Sequence, residues 1–378
     1  MVRTYPLPRI VIITAVPQTI RAFLLTHIDK LNKRGDVSVV SNFDNDKGCD
    51  GLGNVETKNI SIHRKINIAG DVFALWGIYK FLKETEADIV FTVTPKAGLL
   101  GMIAGYFAGV PKRIHMFTGQ VWATRQGISR LILKGADIVL ARFSTSLLAD
   151  SSSQIDFLVR ESVVPAHAVS VIGNGSISGV DLDKFRFDEK ARNSYRETLG
   201  FSKSTFVILF VGRVGREKGI IDLVKAFINV CNKTDKDIGL LIVGPDEGAA
   251  GEVSDIVAGR SNVVVYGPSN EVSKLMSASD VLCLPSYREG FGSVIIEAAA
   301  VGIPAVASRI YGIIDSVVDG ETGLLHEPGN VEEIEDCLLR LAGNNELRAR
   351  LGLAAHNRAT RLFDKEDVST KLADFLVG

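Results

Sequence analysis

Runs of β-branched and apolar residues alternate with segments of helical period from one end of this chain to the other. That alternation builds parallel sheets covered by helices. In the first half the expected strands are RIVIITAV, DVSVVSN, ADIVFTV, KRIHMF, ADIVLA and AVSVIG. Between them QTIRAFLLTHIDKLNKRG and DVFALWGIYKFLKETE repeat apolar residues at i, i+3, i+4 and i+7, the stripe of an amphipathic helix. In the second half the strands are FVILFVGR, IGLLIVG, NVVVYG, DVLCLPS and PAVAS. The pattern breaks over 173–200, GNGSISGVDLDKFRFDEKARNSYRETLG, where glycine, polar and charged residues take over. A length of 378 residues exceeds what one core comfortably supports. The expectation is an α/β chain of two Rossmann-like, doubly wound domains, 1–176 and 177–362, facing each other across a cleft. Sheets of this kind bind ligands beyond the carboxyl ends of their strands, so chemistry is sought there.

With 46% hydrophobic and 23% charged residues the composition is that of a globular protein. Cysteines at 49, 231, 283 and 337 form no CxxC pair, which points to a reducing cytosol without disulfides. The opening MVRTYPLPRIVIITAV lacks a long apolar core and a cleavage site and reads as a first strand. The apolar uncharged run AGLLGMIAGYFAGV at 97–110 falls short of the ~20 residues that span a bilayer. It reads either as a buried helix or as an apolar surface element flanked by Lys96, Lys112 and Arg113. Residues 1–180 hold 20 Lys and Arg against 14 Asp and Glu; from totals of 43 and 44, that leaves 23 against 30 for the remainder. The basic first half suits an anionic surface, and an ordinary solvated exterior accounts for it as well. No nucleic-acid partner is expected.

Two strand ends carry the chemistry. After FVILFVG comes RVGREKG, with Arg213 and Lys218 among Gly212, Gly215 and Gly219. A basic pair beside glycines, where a backbone can approach closely, suits a diphosphate: Arg clamps oxygens bidentately and Lys adds a mobile point charge. Two surface charges preceding a helix would read the same. After DVLCLPS comes YREGFG and then the helical run SVIIEAAAVG. Gly290 and Gly292 let an anion reach the free N–H groups of a helix start. Glu297, one turn in, could accept hydrogen bonds from ribose hydroxyls, and Glu289 would lie nearer a reacting sugar. Taken singly, each glutamate also reads as a solvated or dipole-stabilised carboxylate. Combined with the basic pair they make a nucleotide-sugar site.

The stretches FVGRVGREKGIIDLVKAF, SYREGFGSVIIEAAAVGIPAVAS and GIIDSVVDGETGLL resemble the retaining glycosyltransferases of family 4, which have the GT-B fold. Glu289 and Glu297 match that family's Glu-x7-Glu motif, and Arg213 and Lys218 its basic pair. TPKAGLLGMIAGYFAGVPKRIHMFTGQVW is similar to the first domain of bacterial members that build capsule or O-antigen repeats on a lipid carrier. The resemblance implies that a C-terminal helix, 363–378, returns to the first domain. It implies His115 near the donor sugar, the nucleobase against Gly244, Tyr266 and Gly267, and Gly290, Phe291 and Gly292 at the donor loop. Trp122 and Arg125, in TGQVWATRQGISRLILKG, are the expected acceptor residues, although that segment could simply pack on its own domain. One departure stands out: the loop after the first strand, TAVPQTIRAF, has Pro17 where many relatives have paired glycines.

Three motif-like stretches are set aside. GNGSISG is followed by no helix, which makes it a linker and not a dinucleotide fingerprint. DND at 44–46 and DLD at 181–183 only imitate a metal-binding Asp-x-Asp. No metal and no cofactor are expected. The implied activity is transfer of a hexose or N-acetylhexosamine from a UDP-sugar, with retention, to an undecaprenyl-diphosphate-linked saccharide. The enzyme would sit peripherally on the inner face of the cytoplasmic membrane. A nonhydrolysing UDP-sugar epimerase, a transferase with a soluble acceptor and a non-catalytic sugar-nucleotide sensor remain as alternatives.

Overall fold

The computed structural model describes residues 7–44, 51–63 and 67–378. Cys49 and positions 45–46 of the DND triplet lie outside the described residues. The chain divides into two compact units, Met1–Gly179 with Lys365–Gly378, and Val180–Asp364.

The first unit is built on β1 (Arg9–Ile13), β2 (Asp36–Ser41), β3 (Glu56–Asn59), β4 (Ile89–Val93), β5 (Lys112–Phe117), β6 (Ser146–Ala149) and β7 (Val169–Val171). They form one parallel sheet in the order β3-β2-β1-β4-β5-β6-β7. β1 lies centrally, with Ile10 opposite both Val37 and Ile89, and it is buried from Ile10 onward. A strand covered on both faces reads as a continuous apolar run, which is why it was legible. The loop after it starts a helix with Pro17 at its first turn, passes through a π-helical turn at Ile20–Leu24 and continues as α1 (Leu25–Asn32).

Two strand expectations need correction. ADIVLA, 136–141, is not a strand but lies inside the helix Gly127–Phe143, and the strand is the following SLLA. β3 was not foreseen because its ETKN is exposed throughout; it is an edge strand held by backbone pairing to β2.

The covering helices include α2 (Ile68–Glu84), α3 (Pro95–Ala108) and α4 (Gly127–Phe143), with α3 packed against both others. α3 contains most of the 97–110 run, and the structure buries it: Ala97, Gly98, Leu100, Gly101, Met102 and Ala104 all face the interior. A Cβ at Gly98 would stand 2.4 Å from His115 Cε1, and one at Gly101 2.6 Å from Thr92 Cγ2. The glycines therefore let this helix lie directly on β4 and β5, and most of the run serves the core, with Tyr106 and Phe107 left exposed near its end. No helix among the described residues is long and apolar enough to cross a membrane.

The second unit has β8 (Phe206–Val211), β9 (Ile238–Val243), β10 (Val263–Gly267), β11 (Val281–Leu284), β12 (Ala305–Ser308) and β13 (Gly323–His326). All are parallel, in the order β10-β9-β8-β11-β12-β13. β13, four residues long, is too short to show a period and was also unforeseen. Helices α5 (Ile220–Lys233) and α6 (Ser293–Val301) follow β8 and β11. The last helix, α7 (Lys365–Val377), packs on α1, and its Val368, Leu372 and Leu376 join the core of the first unit.

Candidate active site

In the second unit the loops that leave β8, β9 and β11 are laced together at the carboxyl edge of the sheet. Val214 N–H donates to Pro245 O at 2.8 Å and Glu247 N–H to Val214 O at 2.9 Å, tying the first loop to the second. Tyr287 N–H donates to Glu217 O at 3.0 Å and Arg288 pairs with Glu217 at 2.7 Å, tying the first loop to the third. Two glycines make this approach possible. A Cβ on Gly219, at φ +68°, would lie 1.9 Å from Pro285 O, and one on Gly244, at φ +143°, 1.8 Å from Gly212 O.

This lacing brings Lys218 to Glu289, Nζ to Oε1 at 2.5 Å, across 71 positions of sequence. Ser286 Oγ donates to the same oxygen at 2.9 Å. Arg213 forms an ion pair with Glu247. Gly292, at φ +80°, caps the start of α6, and Phe291 is buried against the ring of Phe363. A Cβ on Gly312 would meet Gly290 O at 2.5 Å, so Gly290 is also a point of close backbone approach. Gly244 N–H donates to Gly267 O at 2.9 Å, which sets the partly exposed Tyr266 beside the same edge. Arg213, Lys218, Glu289, Gly290, Gly292, Gly244 and Gly267 thus gather at one sheet edge. Glu247 and Ser286 were missed, although Glu247 lies three residues past a strand-end glycine, the logic that singled out Arg213.

Glu297 sits on the second turn of α6, and burial pushes its carboxyl up to about 7 while Lys184 opposes the shift. A carboxyl whose folded value is raised makes the native state bind the extra proton. Its contribution is therefore present below about pH 4.5 and lost as pH rises toward about 7. Glu297→Gln should remove that loss: urea midpoints should agree with wild type near about pH 4, and the variant should be the more stable by about pH 8. A variant less stable than wild type at the higher pH would mean that the carboxylate is stabilised by a partner, not penalised by burial.

In the first unit His115 is buried within β5, with Nδ1 2.8 Å from Thr92 Oγ1 and its ring edge-on to Phe117. Burial pushes its pKa down to about 3, so the imidazole is neutral at physiological pH. Trp122, expected to touch an acceptor, is 1% exposed; its Nε1 donates to Asp137 at 2.7 Å and its ring stacks on Phe157. It is a packing residue of this unit, and burial in turn raises Asp137 to about 6. Arg125 is exposed. Among the described residues no group of three or more His, Cys, Asp or Glu is placed to hold a metal.

Residues 191–358, which hold every one of these second-unit site residues, match the family described as glycosyl transferases group 1. Residues 191–358 therefore carry a domain of this group. The chain is 29% identical over 317 residues to the capsular polysaccharide biosynthesis glycosyltransferase CapM of Staphylococcus aureus, covering 83% of this chain and 82% of that one. It is 29% identical over 293 residues to the UDP-Gal:alpha-D-GlcNAc-diphosphoundecaprenol alpha-1,3-galactosyltransferase of Escherichia coli, covering 75% and 74%. Among solved structures, Anabaena HepE in complex with UDP and glucose superposes with a TM-score of 0.80 over 98% of this chain and 99% of that one, at 20% identity. That likeness shows the fold, which is GT-B. The laced edge of the second sheet accordingly lies within the matched domain.

Proposed function

We propose that this protein is a glycosyltransferase that moves a hexose or N-acetylhexosamine from a UDP-sugar to a hydroxyl of a saccharide carried on a lipid diphosphate, with retention and without a metal ion, in the synthesis of a surface polysaccharide. The observation that carries the reading is the meeting of Lys218, Glu289 and Ser286 beside Arg213 at the glycine-bounded start of α6. Lys218 and Arg213 each pair with a carboxylate, Glu289 and Glu247, and a diphosphate would take over both cations. Charge then develops on the departing UDP where Arg213, Lys218 and the N–H groups after Gly292 already stand, so little reorganisation is needed. Glu289, released from Lys218, orients the sugar. Glu297 accepts the ribose hydroxyls, and Gly244, Tyr266 and Gly267 border the base.

The likeness to CapM and the diphosphoundecaprenol-linked acceptor in the name of the E. coli relative support a lipid-linked acceptor. A cytoplasmic enzyme with such an acceptor works at a membrane surface. The outer face of α2 offers a contact for it: Ile68, Val72, Phe73 and Trp76 are all more than 60% exposed over its first turns. We assign the contact with the anionic inner leaflet to this face in place of the 97–110 run. The decisive experiment incubates the enzyme with a UDP-sugar panel and undecaprenyl-diphosphate-linked N-acetylglucosamine, and reads the anomeric configuration of the product by NMR. An α-linked product formed equally well in EDTA is expected. Turnover abolished by EDTA and restored by Mg²⁺ or Mn²⁺ would overturn the metal-free account. Epimerisation of UDP-N-acetylglucosamine without acceptor would replace the transferase reading.

A further inference from the structure

The two oxygens of the Glu289 carboxylate are not alike. Oε1 accepts two hydrogen bonds, from Lys218 Nζ at 2.5 Å and from Ser286 Oγ at 2.9 Å. Oε2 has no hydrogen-bond or ion-pair partner among the described residues. With the side chain only 14% exposed, water has little hold on the carboxylate, and its orientation rests on those two donors.

The donors differ in how firmly they are placed. Lys218 reaches across from the loop after β8 on a flexible four-carbon stem. Ser286 lies two residues past the end of β11, behind Pro285, and is fully buried. Its hydroxyl is one bond from the main chain's own Cβ, so the loop fixes where it stands. That loop is fastened in turn: Tyr287 N–H donates to Glu217 O, the Tyr287 hydroxyl donates to Asp222 at 2.7 Å, and a Cβ on Gly312 would stand 2.9 Å from Glu289 O. A serine that merely shapes a turn bonds the backbone beside it. The hydroxyl of Ser286 bonds the Glu289 carboxylate alone among the described residues.

A diphosphate bound at this edge draws Lys218 away and leaves Oε1 with one donor. We propose that Ser286 is a positioning residue of the donor site: it keeps hold of Oε1 while Lys218 turns to the diphosphate, and so aims Oε2 at a hydroxyl of the transferred sugar. A carboxylate oxygen accepts hydrogen bonds, which suits it to a sugar O–H. The serine and the glutamate are three positions apart in one loop, so their bond does not need the lysine. Glu289 therefore keeps one orientation before and after Lys218 leaves it, and the sugar meets a carboxylate already in place. The inference rests on the donor reading proposed above.

The test sets turnover against UDP binding and thermal melting in the full-length protein. Ser286→Ala should lower kcat by about tenfold or more, the value of a lost hydrogen bond to a charged group. Its UDP affinity should stay within about threefold of wild type, because UDP carries no sugar for Oε2 to meet. Ser286→Thr, which keeps the hydroxyl, should recover most of the rate. The loss should be of the same size in a Lys218→Ala background, since Lys218 has already left Oε1 when the donor is bound. A loss that vanishes in that background would mean that the hydroxyl acts only through the lysine, and would overturn the assignment. So would a Ser286→Ala rate within about threefold of wild type, a loss that follows the melting temperature or the UDP affinity, or a well-folded Ser286→Thr no faster than Ser286→Ala. The donor reading is checked separately on wild type. UDP binding and sugar transfer with Ser286→Ala unchanged removes the serine and leaves the function standing; a wild type that neither binds UDP nor transfers removes both.

Discussion

Lys218→Ala is expected to lower kcat/KM on the order of 10²–10³-fold, the cost of removing one preorganised donor from a developing negative charge, about 2.7–4 kcal/mol. Its Nζ is held 2.5 Å from Glu289 by a loop that Gly219 allows to lie against Pro285. The side chain is thus in place before any diphosphate arrives. Folding should suffer much less, because Ser286 still donates to the Glu289 carboxylate after the lysine is gone. UDP affinity should fall less than turnover, since the charge on the leaving group is greatest in the transition state. Lys218→Arg, which keeps the charge, should recover part of the rate. Steady-state kinetics beside a thermal melt separates the effects, and a Lys218→Ala enzyme within fivefold of wild type would remove this side chain from the chemistry.

The largest effect on stability is expected at a residue with no part in the site. Asp280, just before β11, accepts from Arg192 at 2.7 Å, from Arg196 at 2.6 Å and from Val207 N–H at 2.8 Å. Arg196 is 3% exposed and also donates to Ala278 O and Thr205 O. This knot fastens the helix Glu189–Thr198, which follows the join between the units, to the edge where β8 begins. Asp280→Ala would leave a buried guanidinium without its counter-charge, and breaking one half of such a pair costs about 3–5 kcal/mol. Urea denaturation should show a loss of that size, with Asp280→Asn falling between the two. A change below about 1 kcal/mol would mean that the backbone carbonyls alone hold Arg196.

The parallel-sheet architecture and most strands of both units were legible because strands buried on both faces must be apolar along their whole length, and those runs survive in one dimension. The residues of the site could be named for a similar reason: glycines and charges just after a strand stand out against it. What the chain order does not contain is who meets whom. Lys218 and Glu289 are 71 positions apart and Arg213 and Glu247 are 34 apart, and each pairing exists only because β9, β8 and β11 lie side by side. The tetrapeptide Ala-Asp-Ile-Val occurs twice and makes the point by itself. At 87–90 it leads into β4, where Ile89 and Val90 are buried between β1 and β5; at 136–139 it is a turn of α4, with Asp137 facing inward to Trp122 and Val139 outward. The run 97–110 and the exposed stripe Ile128, Leu131, Ile132 and Val139 of α4 show the same limit. Each is apolar, but only packing decided that the first would lie under its neighbours, because its glycines admit the sheet at less than a side chain's distance. The second was left facing out, with the charges of Arg130 and Lys134 turned toward Glu161 and Trp122. Local sequence carries the period and the chemistry of a segment; which face is covered depends on what packs against it, and that is a property of the whole unit.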